Sequence, residues 1–182
     1  SGQDSSALGN ATASGESSAA VGFYAEASAA GAVSIGYSAV ASGTFAGCLG
    51  FNGRATANSA ITLGNSYASG EDSLAAVIDN NTSSYGATGA NSIAMGYQAK
   101  ATGTYSTALG QNSVATGEDS FAIGKSLASG TESFAAAIDN NSTSYGASGN
   151  NSVAIGQVSK SSGQISVAIG KQAIASGVQS LS

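Results

Sequence analysis

The sequence has no histidine, no tryptophan and no proline, a single cysteine and only five lysine and arginine residues in 182. With Cys48 alone, neither an intrachain disulfide nor a zinc site of the cysteine–histidine kind can form. The five cations stand singly in a chain of formal charge −5, so there is no basic footprint for nucleic acid. There is no apolar run of about 18 residues, the length a membrane-spanning helix needs, and no membrane contact by this segment is expected. Nothing at the start reads as a secretion signal, so an exported protein would carry its signal and anchor outside these residues. Large apolar side chains are sparse as well: 42% of residues are hydrophobic, but alanine makes the largest share. Only 8% of residues are charged, which argues against a solvated coil, while the shortage of bulk argues against an ordinary globule.

What the chain does have is repetition, with 26 glycines as its punctuation. The phrase "NSVAIG" at 151–156 returns as "NSIAMG" at 91–96 and "ISVAIG" at 165–170. Its final glycine recurs as Gly9, Gly22, Gly36, Gly50, Gly64, Gly96, Gly110, Gly124, Gly156 and Gly170, mostly 14 residues apart. Counted from each such glycine, small residues fall at +3, +5, +7, +10, +12 and +14; from Gly96 they are Ala99, Ala101, Gly103, Ser106, Ala108 and Gly110. The units run 13, 14, 14, 14, then 13, 19, 14, 14, then 13, 19, 14 residues. Residues 64–110 and 124–170 match at a constant offset of 60, so a super-repeat lies above the coil repeat. The 19-residue units carry inserted turns, "IDNNTSSYG" at 78–86 and "IDNNSTSYG" at 138–146. The whole of 1–182 reads as one repetitive domain, with inserts near 78–84 and 138–144.

Each unit holds two stretches of period-two alternation, near +3 to +7 and +10 to +14, and period two marks a strand with two unlike faces. Two five-residue strands and two short turns fill 14 residues, so each unit is one coil of an all-β parallel solenoid. A dozen coils about 4.8 Å apart make a rod of roughly 60 Å. The small positions face the interior, which on this reading has no room for Leu or Ile, and Cys48 takes an alanine position there as a small buried thiol. The glycines at +7 and +14 enter turns where positive φ is expected.

The outward positions differ between the two strands. At +4 and +6 stand mostly polar residues, such as Arg54 and Thr56 or Lys100 and Thr102, as on a solvent face. At +11 and +13 stand Val33 and Ile35, Ile61 and Leu63, Ile93 and Met95, Phe121 and Ile123, Val153 and Ile155, and Val167 and Ile169. Each gains about 1.5–3 kcal/mol on leaving water, and monomeric proteins avoid an apolar stripe of that length. Self-association about an axis parallel to the rod covers it, which makes these twelve residues the predicted subunit interface. The pattern alone does not fix the number of subunits.

Tandem copies of the form SxAxGxxAxAxG, with "NSVAIG" as the best example, resemble the YadA-type head domains of trimeric autotransporter adhesins over nearly the whole chain, about Asp4 to Ser180. The resemblance implies a left-handed parallel β-roll, a side-by-side homotrimer with the Val/Ile strand toward the axis, and export to the bacterial cell surface. It also implies adhesion to host matrix, cells or other surfaces, with stalk, neck and anchor expected outside these residues. The 19-residue coils depart from the plain family repeat. A spacer or tail-fibre segment of a phage or virus is the alternative, since one fold serves several tasks.

Candidate chemistry is thin. Glu16, Glu71, Asp72, Glu118, Asp119 and Glu132 follow the +7 glycine and read as a solubilising rim. With no histidine and no GxSxG nucleophile motif, an enzyme is not expected, and no cofactor is implied. The inserts, Asp79, Asn80 and Asn81 with Asp139, Asn140 and Asn141, are candidate exposed loops for ligand or ion contact; one carboxylate per chain is little for calcium. Tyr85 and Tyr145 take the inward +3 position and are expected to plug a widened coil. The Ser/Thr column at +6 suggests ice binding, but Glu26, Arg54 and Lys100 interrupt its neighbour column.

Overall fold

A computed structural model describes residues 2–79, 82–139 and 142–182. Among these residues the chain forms two parallel sheets of twelve strands each and no helix, so no helix is long and apolar enough to cross a membrane. Consecutive strands alternate between the sheets: Ile93–Met95 lies in the first, Lys100–Ala101 in the second, Thr107–Leu109 in the first and Val114–Ala115 in the second. Every strand therefore pairs with the strand one coil away, which makes the chain a parallel β-solenoid. In the first sheet Ala94 stands opposite Ala108 and Ala108 opposite Ala122; in the second, Ala101 stands opposite Ala115 and Ala115 opposite Ala128.

The strands are shorter than the alternating stretches predict, with three residues in the first sheet and two in the second. The ends of each stretch already belong to turns. Left-handed backbone occurs there at Gly96 (φ 119°), Gln98 (φ 53°) and Tyr105 (φ 59°), which bends the chain from one sheet to the other.

The interior is two small side chains thick. Ala99, Ala101, Ser106 and Ala108 are fully buried, and the ladder Ser34, Cys48, Thr62 continues the same column. Serine at +10 adds a hydrogen bond that alanine cannot make. The Ser106 hydroxyl donates to the Gly103 carbonyl at 2.7 Å, as Ser92 does to Gly89 and Ser120 to Gly117 at the same distance, closing the turn from inside.

The two glycine columns do different things. At +14, Gly96 has the expected positive φ and is half-buried at the rim of the interior. At +7 the expectation of positive φ fails: Gly103 is glycine because a Cβ there would lie 2.0 Å from the Gly117 carbonyl oxygen of the next coil. Close approach of successive turns sets that column, and backbone handedness does not.

The expectation that the interior excludes isoleucine is also corrected. Ile78 and Ile138 are fully buried in the two long coils, and Leu127 is nearly so. Leu74 pairs with Ile61 on one side and Ile93 on the other, so the insert leaves the sheet register intact and takes its extra residues at the corner. The corner stands away from the axis of the coil, and isoleucine fills the space. The Ser66 hydroxyl accepts the Ile78 amide at 3.2 Å, and Ser126 does the same for Ile138. Tyr85 and Tyr145 pack partly buried against this core, beside the isoleucines.

Candidate functional site: an apolar sheet face

The first sheet turns one column of small side chains inward and two columns of larger ones outward. In Ile93–Met95, Ala94 is fully buried while Ile93 and Met95 project from the coil. The structure brings all twelve of the apolar residues read from the sequence onto this one face. Ile35, Ile61, Leu63, Ile93, Met95, Ile123 and Ile169 are exposed, between 36% and 57%, and Val33, Phe121, Val153, Ile155 and Val167 are half-buried by their ladder neighbours. The Phe121 and Phe134 rings stack across adjacent coils with centroids 5.7 Å apart.

The face is larger than those twelve residues. Leu8, Val21, Leu49, Leu74, Leu109, Phe134 and Leu181 stand in the same two columns, each paired in register with a residue already named or with one another's neighbours. Their signal was present in the sequence, in the +11 and +13 spacing, but in each of these coils one member of the pair is small or polar, as with Gly47 beside Leu49 and Thr107 beside Leu109.

Both edges of this face carry exposed aromatic or apolar residues. Just past the strands, Phe23, Tyr37 and Phe51 form a ladder with ring centroids 5.8 and 5.4 Å apart, and Tyr97 lies exposed further along. Just before the strands, Phe45, Tyr105 and Ile165 are exposed. None of these edge residues was singled out from sequence; single aromatics at turn positions have no periodic signal.

The remaining candidates are dispersed. The carboxylates of Glu16, Glu71, Asp72, Glu118, Asp119 and Glu132 are exposed along one corner, and among the described residues no group of side chains could hold a metal ion. Asp79 and Asp139 are exposed in left-handed backbone (φ 56° for both), while Asn80, Asn81, Asn140 and Asn141 lie outside the described residues. A cleft of about 480 Å3 opens beside the first insert, lined by Leu63, Gly64, Asn65, Val77, Asp79 and Tyr97. On the outer face of the second sheet Arg54 is exposed and Lys100 half-buried, among the hydroxyls of Thr56 and Thr102. Cys48 is buried; desolvation pushes its thiol pKa up, opposed in part by hydrogen bonds with the Thr62 side chain and the Val40 backbone. Burial that favours the neutral thiol makes it a packing residue.

Comparison with known proteins agrees with this geometry. The family model of the YadA head domain repeat matches residues 1–25, 27–46, 87–113, 101–126, 147–173 and 161–181. The matches resume directly after each insert and leave out the short and long coils that precede it, so the two long coils are where this chain departs from the plain repeat. Comparison with curated proteins gives no match. The matched segments cover well over half of the sequence in tandem, and the chain therefore belongs to the YadA head family, as a YadA-like head of the trimeric autotransporter adhesin kind.

Proposed function

We propose that this chain is a non-enzymatic adhesin head, a left-handed roll of 14-residue coils that assembles as a parallel homotrimer about its first sheet and is displayed on the bacterial cell surface. One observation carries the assembly: an outward apolar face runs the length of the rod, from Leu8 to Leu181. Full burial of one such side chain contributes about 1.5–3 kcal/mol. With roughly half of each already covered by its ladder neighbours, the remaining gain summed over twelve coils far exceeds what association costs. Family membership supports three copies and the surface location.

Adhesion then works by multiplicity. Three chains present the same shallow polar features at every coil, so weak contacts with matrix, host cells or another surface add up through effective concentration. The outer face of the second sheet repeats with little variation, which favours a second reading, a spacer that holds a binding tip at a distance. The test has two stages. Light scattering on a sizing column is expected to give three times 17.3 kDa. The assembled segment is then passed over immobilised collagen, fibronectin, laminin and host cells. Retention on any of these supports the adhesin head; a trimer that is retained by none supports the spacer.

A further inference from the structure

The two edges of the apolar face differ in a way that suits one another. At the edge where the chain enters the first sheet, Phe45 precedes Gly47–Leu49, and Glu118 and Asp119 precede Phe121–Ile123. At the edge where it leaves, Phe51 follows Leu49 and Lys125 follows Ile123. All five are exposed. In a cyclic assembly about an axis parallel to the rod, the contacting surfaces are unlike: the leaving edge of one copy turns toward the entering edge of the next. Because each strand crosses the face within a single coil, the two edges meet at about the same height, within the coil spacing of about 4.8 Å. Phe51 then arrives at Phe45, and Lys125 at Glu118 and Asp119. A two-fold axis across the rod would instead bring like edges together, with Lys125 removed from the acids.

We propose that neighbouring copies clasp edge to edge around the axis, with Phe51 of one copy packed on Phe45 of the next and Lys125 paired with the next copy's Glu118 and Asp119. The clasp rests on the trimer proposed above and goes beyond it: it assigns the exposed edge aromatics a partner, and it gives the assembly a direction and a register that a greasy stripe alone does not supply.

Disulfide trapping tests it. Within one chain, Asp119 and Lys125 lie on opposite sides of the Phe121–Ile123 strand, more than about 10 Å apart, too far for a disulfide, which needs Cα atoms within about 7 Å. In a Cys48→Ala background, the pair Asp119→Cys with Lys125→Cys is oxidised in the assembled protein. Most chains are expected to run as a covalent trimer on a non-reducing gel, while a control pair, Asp119→Cys with Lys100→Cys on the outer sheet, stays uncoupled. A protein that keeps a trimer mass but links no better than the control overturns the clasp and leaves the trimer standing; a monomeric mass removes both. A second variant needs no oxidation. Lys125→Glu is expected to lower the melting temperature of the trimer by several degrees at low salt, with recovery when Glu118→Lys and Asp119→Lys are added. An unchanged melting temperature overturns the charged half of the clasp.

Discussion

Cys48 shows how strictly a single position is determined here. It sits between Ser34 and Thr62 in a column of alanines, serines and one threonine, with the neighbouring Gly53 so close that a Cβ there would meet its sulfur at 2.7 Å. Burial raises its pKa, so the fold holds the thiol proton at pH values where the unfolded chain has lost it. The stability that follows is complete below the unfolded thiol pKa of about 8.5 and is lost as pH climbs toward the higher folded value. Between about pH 8 and pH 10, the natural protein should therefore lose more stability than Cys48→Ala, measured as the difference in denaturant midpoints; parallel pH profiles would show that the thiol does not ionise differently in the two states. Thiol reagents should label Cys48 only under unfolding conditions. Val158 and Ile165 show the opposite freedom. Both are β-branched yet held at φ 51° and 55°, which costs about 1–2 kcal/mol each, and the stack of coils on either side sustains them.

At the scale of the element, the turn glycines separate two causes that sequence alone merges. Gly103 has negative φ, but its Cβ would collide with the Gly117 carbonyl oxygen, and a backbone oxygen fixed in a ladder cannot step aside. Gly64 has φ +74° with nothing within 4 Å of the added Cβ. Gly103→Ala is thus expected to cost about 3 kcal/mol or more through overpacking, and Gly64→Ala only about 1 kcal/mol of backbone strain. Thermal melts of the two variants, run side by side, would expose an error if the losses were equal or reversed. The same comparison marks what the sequence makes legible. Period-two spacing was enough to predict the parallel solenoid, the small interior and the outward Val/Ile columns, because side-chain alternation is a local property of extended backbone. It could not predict that Ile78 and Ile138 turn inward, since their orientation depends on the space left by a coil that is longer than its neighbours. It also missed the Phe23, Tyr37 and Phe51 ladder, whose members are isolated in sequence and meet only when coils stack.

At the scale of the whole molecule, a rod two small side chains thick has little interior to bury, and its first sheet leaves its bulkiest residues outside. The coil-to-coil hydrogen bonds, such as Lys100 N–H to the Ser113 carbonyl at 2.9 Å, hold the stack together along its length. They contribute nothing to covering the apolar face, so association must do that. Aspartate on the face is the direct probe. In an assembly about the first sheet, Ile123→Asp or Ile155→Asp brings three like charges together around the axis in surroundings that solvate them poorly, at a cost of several kcal/mol per ion. Lys100→Asp sits on the outer sheet and meets no partner there. Sizing with light scattering should find both isoleucine variants shifted to monomer and Lys100→Asp still assembled. Circular dichroism separates a lost assembly from a lost fold, because a monomer that keeps its strand signal has failed only at the interface. Should both isoleucine variants remain trimeric, the axis does not run past the first sheet, and the edge residues Phe45, Phe51, Lys125 and Glu118 would need partners other than one another.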